Sequence, residues 1–125
     1  MNGVILVVDD SATVRKFVGA SLQLKGFSVV LAANGMEALE KMPALNVDLI
    51  ITDLNMPDMD GFEFIKSVQD TPVYRAIPII ILTSMTDDGN RRRGLELGAH
   101  TFLEKPFSVE KVQEEVSRLL ALIPA

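Results

Sequence analysis

The chain has no cysteine, no tryptophan, one histidine and one tyrosine in 125 residues. Without cysteine, disulfides and thiolate chemistry are excluded, although that absence alone says little about compartment. The single His100 has no second histidine or carboxylate at ligand spacing and is expected at the surface. No apolar run approaches the roughly 20 residues needed to cross a bilayer. Nor does a basic segment, long apolar core and cleavage site open the chain, because Met1 to Gly3 lead straight into a strand. A cytoplasmic location with no membrane contact is the expectation. Positive charge is also scarce: 12 Lys and Arg against 17 Asp and Glu leave a net charge of −5, which argues against nucleic acid binding by this chain alone. Repeats and low-complexity segments are absent, and the length fits one domain, residues 1–125, with no room for a second.

What is present is apolar patterning, 48% of residues. Val4 to Val8, Leu49 to Thr52 and Ile79 to Leu82 are apolar or β-branched without alternation, the mark of strands buried on both faces. Two further strands are expected at Phe27 to Leu31 and Thr101 to Leu103. After the first strand, Ser11 reads as a helix N-cap, Val14, Phe17, Val18 and Leu22 as an apolar stripe, and Gly26 as the stop. Asn34 and Gly35 read as a turn before a short helix, Met36 to Met42, with Ala38, Leu39 and Met42 facing inward and Pro43 closing it. Phe62, Ile65 and Val68 mark a third helix ended by Thr71 and Pro72, and Ser108 caps a last one with the stripe Val109, Val112, Val116, Leu119 and Ile123. The fourth helix, Asp87 to Gly98, is the weakest. Gly89 and Gly94 cost it up to ~1 kcal/mol each relative to Ala, its apolar anchors are few beyond Leu95 and Leu97, and it is expected to be the mobile element. Arg91, Arg92 and Arg93 within it spread over about 200° of a helix and are expected to form a solvated face.

Five strands alternating with five helices, joined by right-handed crossovers, predict an α/β fold with a parallel sheet covered on both faces. In such sheets the functional crevice lies beyond the carboxyl ends of the strands. Asp9 and Asp10 follow strand one, Asp53 strand three, Thr83 strand four and Lys105 strand five, so the polar residues that interrupt the apolar runs fall at one edge. Carboxylates crowded there repel by about 4 kcal/mol per pair at ~4 Å and an effective dielectric of 20, so positive charge must join them. Lys105 supplies one. The all-oxygen remainder suits a hard divalent ion, Mg²⁺ with Mn²⁺ as the alternative, and the lack of nearby His or Cys disfavours zinc. A nucleophilic Asp beside Mg²⁺, with a hydroxyl and a Lys to hold phosphoryl oxygens, is equipment for forming an aspartyl phosphate.

The runs VVDDS, ITDLNMPDMDG, ILTS and FLEKPF, in this order and spacing, resemble the receiver domains of two-component response regulators, most closely stand-alone chemotaxis-type receivers. The resemblance covers essentially the whole chain. It implies a flavodoxin-like, doubly wound (βα)5 sandwich with strand order 2-1-3-4-5. It also implies that Asp53 is the phosphoacceptor, served by the phosphohistidine of a sensor histidine kinase or by acetyl phosphate. Asp10 and Asp53 would ligate Mg²⁺ directly, Asp9 through water, and Asn55 through its backbone carbonyl. Thr83 would hydrogen-bond the phosphoryl group and Lys105 pair with it, with a cis bond before Pro106 aiming Lys105 inward. Thr83 and Phe102 would form the switch, Phe102 standing where chemotaxis receivers often carry Tyr. Asn55 and Met85 would tune the lifetime of the acyl phosphate. Helix four, strand five and helix five would form the partner face toward an unspecified target protein, with the chain a monomer or a weak, phosphorylation-dependent dimer.

A metal-dependent phosphatase or phosphotransferase with an Asp nucleophile is the rival from the enzyme class. Such enzymes usually want an acid/base carboxylate two residues after the nucleophile and a substrate cap. Asn55 holds that place, and no insertion is long enough for a cap. A receiver-like module that binds partners without phosphorylation is disfavoured because all five signature positions are filled.

Overall fold

The computed structural model describes residues 3–54, 59–83, 88–105 and 107–121. Strands β1 (Val4–Val8), β2 (Ser28–Ala32), β3 (Leu49–Asp53), β4 (Ile79–Thr83) and β5 (Thr101–Glu104) alternate with helices α1 (Ala12–Leu24), α2 (Gly35–Lys41), α3 (Gly61–Asp70), α4 (Asp88–Glu96) and α5 (Val109–Ala121). A 3-10 turn, Met42–Ala44, follows α2. The strands form one parallel sheet in the order β2-β1-β3-β4-β5.

The unbroken apolar runs divide by alternation into two layers. Leu6, Val8, Ile50, Ile79 and Ile81 point to one face and are covered by Ala38 of α2, Met42, and Phe62, Phe64, Ile65 and Val68 of α3. Ile5, Val7, Leu49, Ile51, Ile80, Leu82 and Leu103 point to the other, under Val18 and Leu22 of α1 and Val112, Val116 and Leu119 of α5. The central strands β1, β3 and β4 thus bury both sets of side chains, which is why β3 and β4 show no polar alternation, whereas the edge strands β2 and β5 are only partly covered. Register then aligns the strand ends: Val8 lies beside Thr52, Asp53 beside Leu82, and Thr83 beside Glu104.

Several boundaries differ from expectation. β2 is displaced by one residue, to Ser28–Ala32, because the Phe27 N–H bonds back to the Leu22 carbonyl at the end of α1 (3.1 Å). Asn34 is a helix cap, not a turn residue: its Oδ1 accepts from the Glu37 N–H at 2.8 Å, and Gly35 is the first residue of α2. Pro43 lies within the 3-10 turn instead of ending the segment outright. In the fourth helix, described from Asp88, Leu95 is 52% exposed and anchors nothing. Gly94 does the opposite of what its helix propensity suggests. A Cβ there would stand 2.4 Å from Ile81 Cδ1, so the glycine lets α4 settle onto β4. Ile123 lies outside the described residues.

A tight backbone approach lies beside Asp53. At Gly61, the first residue of α3, a Cβ would stand 2.3 Å from the Asp53 carbonyl oxygen and 2.6 Å from Leu54 Cα, both backbone atoms. The Gly61 N–H meanwhile donates to the Leu54 carbonyl at 2.9 Å. Gly61→Ala must therefore push α3 off the end of β3. It should lower stability by about 1–3 kcal/mol, read as a lower urea midpoint with unchanged slope; an unchanged midpoint would show that this contact does not constrain the chain.

Candidate functional site

The acids that end β1 and β3 meet. Asp9, Asp10 and Asp53 each place a carboxylate oxygen within 4.8 Å of the others. Asp9 is fully buried, and its Oδ1 accepts from the Ser11 N–H at 2.8 Å. Asp53 is buried and its Oδ1 accepts from the Leu54 N–H at 2.7 Å. Lys105 Nζ stands 3.8 Å from Asp53 Oδ2. Its backbone N–H donates to the Thr83 carbonyl at 2.8 Å, fixing the end of β5 beside that of β4. Thr83 itself is buried at this edge.

Ser11 has two roles in one turn. Its N–H holds Asp9, and its Oγ accepts from the Val14 N–H at 3.3 Å to start α1. Arg15, one turn on, donates from Nη1 to the Asp9 carbonyl at 2.6 Å. Asp10 stays exposed above them.

This arrangement leaves negative charge in excess. Each carboxylate pair at this spacing repels by roughly 3–4 kcal/mol at an effective dielectric of about 20, and Lys105 is one cation for three carboxylates. Burial is the largest influence raising the pKa of Asp9 above its ordinary value, opposed by the Ser11 N–H bond, with the neighbouring Asp53 and Asp10 adding to the rise and Lys105 opposing it. The second oxygen, Oδ2 of Asp9, is buried with no hydrogen-bond partner among the described residues. An orphaned carboxylate oxygen facing two further carboxylates, with no sulfur or imidazole in the set, fits a hard divalent cation.

Of the residues singled out from sequence, Asp9, Asp10, Asp53 and Lys105 are brought together, and Thr83 lies at the end of the adjacent strand. Asn55, Met85 and Pro106 lie outside the described residues. Phe102 is half-buried against the α3-side layer. His100 is exposed, as expected, although its Nδ1 faces the Ile79 N–H at 3.4 Å.

The arginines of α4 are not simply a solvated face. Arg91 pairs with Glu104 and lies over the Phe102 ring, and the Arg93 guanidinium stacks 4.0 Å from the centroid of Phe62. Sequence reasoning missed these contacts, the Arg15 bond and the cap at Asp60, whose Oδ1 accepts from the Glu63 N–H at 2.9 Å. Only the last had a signal, an Asp three residues before a Glu at a helix start.

The chain belongs to the response regulator receiver domain family, which it matches over residues 5–117. It is 40% identical over 116 residues to a gliding motility regulatory protein of Myxococcus xanthus, covering 92% of this chain and 15% of that protein. It is 39% identical over 116 residues to the transcriptional regulatory protein ResD of Bacillus subtilis, covering 93% and 47%. The chain thus spans less than half the length of these relatives. Among solved structures, the chemotaxis response regulator CheY4 of Vibrio cholerae superposes with a TM-score of 0.90 at 39% identity, over 95% of this chain and 99% of that one. Receiver domains are signalling switches that take phosphoryl groups from histidine kinases. Among the described residues, no helix is long and apolar enough to cross a membrane.

Because the folded chain raises the Asp9 pKa above 3.8, it holds that proton more tightly than the unfolded chain, and ionisation costs stability as pH rises through the raised value. In chelator at pH 7, Asp9→Asn should be more stable than wild type by about 1–3 kcal/mol, because it removes a buried charge that desolvation and the neighbouring Asp53 and Asp10 disfavour while an amide can still accept from the Ser11 N–H. The advantage should shrink as pH falls toward the ordinary carboxyl range. Denaturant titrations in which the variant is the less stable at pH 7 would refute this account.

Proposed function

We propose that the chain is one receiver unit over residues 1–125 in which Asp53 accepts a phosphoryl group from the phosphohistidine of a sensor histidine kinase or from acetyl phosphate. The observation that carries this reading is the meeting of three carboxylates within 4.8 Å beside an ammonium 3.8 Å from Asp53. Asp9, Asp10 and Asp53, with the backbone carbonyl of Asn55, would hold Mg²⁺ or Mn²⁺, which when bound supplies charge neutralisation for the phosphoryl oxygens. Asp53 Oδ2 attacks phosphorus as the bond to the imidazole nitrogen or acetyl oxygen breaks, and the departing group leaves with the electron pair. Lys105 pairs with a phosphoryl oxygen, and the Thr83 hydroxyl donates to another. Asn55 and Met85 set the lifetime of the acyl phosphate.

Thr83, drawn to the phosphoryl group, vacates room that the Phe102 ring fills, and α4 shifts with it. The α4, β5 and α5 face then changes its affinity for a target protein. Catalysis is limited to this self-phosphorylation and to autodephosphorylation by water, in the cytoplasm, with no direct contact to nucleic acid or membrane. The chain acts as a monomer or as a weak dimer formed on phosphorylation. Likeness to the chemotaxis response regulator CheY4 supports a role in signalling.

Acetyl phosphate with Mg²⁺ should add one phosphoryl group to the wild-type chain and none to Asp53→Asn. Equal incorporation by intact-mass spectrometry would remove Asp53 from this role. Mg²⁺ at about 100 times its Kd should stabilise the chain by about 2.7 kcal/mol, raising the melting temperature reversibly with chelator; Asp10→Asn should lose most of that rise, and an undiminished rise would place the ion elsewhere.

A further inference from the structure

Three consecutive arginines sit on α4, and two are engaged with different elements. The Arg91 side chain is only 28% exposed. Its guanidinium carbon is 5.6 Å from the centroid of the Phe102 ring, and the same group pairs with Glu104. Phe102 and Glu104 are two apart on β5, so their side chains project from the same face of the sheet, and Arg91 bridges them from outside. Arg93, on the other side of the helix, stacks on Phe62 of α3. Gly94 lies between them, against Ile81 and 3.5 Å from the Phe102 ring when built with a Cβ. With Leu95 exposed, the helix is held on the sheet largely by these two cations and the glycine seat.

We propose that the Arg91–Glu104 pair is a latch on the switch: it holds α4 to β5 over the Phe102 ring and opposes the inward movement of that ring. Resting on the role given above to Phe102, the reasoning is steric and electrostatic. A ring that swings toward Thr83 leaves the face of the Arg91 guanidinium, so the stacking is lost and the pair with Glu104 loses its support. The latch therefore sets how readily phosphorylation is converted into movement of α4. Because the pair is partly exposed, its strength falls with ionic strength.

The test uses Arg91→Met, which keeps an apolar cover over the ring without charge, and Glu104→Gln, which keeps shape, with Arg92→Met on the exposed side of α4 as the control. Amide hydrogen exchange over residues 88–96 should be about three-fold faster in the first two variants than in the control, the size expected of a half-exposed ion pair, with β1 and β3 unchanged. Added salt should speed α4 exchange in wild type and leave both latch variants unmoved. Titration with beryllofluoride and Mg²⁺, followed by NMR, should reach half-saturation at about three-fold lower concentration in both latch variants.

Exchange no faster than in Arg92→Met, or an unaltered half-saturation, would overturn the latch. If the wild-type chain binds no beryllofluoride, the phosphoacceptor reading fails instead, and the exchange comparison still decides whether the pair holds α4.

Discussion

Repulsion among Asp9, Asp10 and Asp53 is the constraint around which the rest of the molecule is arranged. Three carboxylates within 4.8 Å are tolerable only where the surrounding structure holds them in place against their mutual field. Parallel pairing does this by setting the ends of β1 and β3 side by side, and the two buried acids are then tied locally. Asp9 is fixed by the Ser11 N–H, Asp53 by the Leu54 N–H, and the Asp9 backbone by Arg15. The fully apolar strands are the counterpart of this arrangement. A cluster that lowers stability needs a core that raises it, and every inward position of β3 and β4 except Thr52, Asp53 and Thr83 is aliphatic.

Much of this was legible in the residues because both signals are local. An unbroken apolar run can only be a doubly buried element, and an acid at its end marks the carboxyl edge of a parallel strand. Asp9, Asp53, Thr83 and Lys105 could be placed together on that basis before any geometry was known. The Asn34 cap was missed because an Asn-Gly pair serves equally as a turn, and only the Glu37 N–H decides between the two. The seat of α4 was illegible for a deeper reason. Gly94 looks like a helix defect until Ile81, which is 13 positions earlier in the chain, is seen to lie where its side chain would be. Arg91 and Arg93 likewise look solvated until strand β5 and helix α3 supply Phe102 and Phe62.

That seat explains how a helix with almost no apolar face can belong to a folded domain. Hydrophobic burial is short-ranged and indifferent to charge, so a helix fastened by it responds only to changes in packing. Stacked and paired guanidinium groups respond to charge, polarity and direction, and each is worth about 0.5–2 kcal/mol. A helix held that way is fastened weakly enough for a remote chemical event to compete with the fastening. Because Phe102 and Glu104 lie on the strand that leads into Lys105, the same short segment touches both the carboxylate cluster and α4.

The division of the core into two layers has a consequence of its own. The sheet is a partition. Ile81, Phe102 and Phe62, which meet α4, belong with α2 and α3 on one side, whereas α1 and α5 pack only on the other. Substitutions in the two compartments share few neighbours and should combine almost additively. A change in the layer beneath α1 and α5 then leaves the packing beneath α2 and α3 largely as it was, and the reverse holds too. A sheet one strand thick is thus a boundary as well as a core, and damage to one layer need not spread to the other.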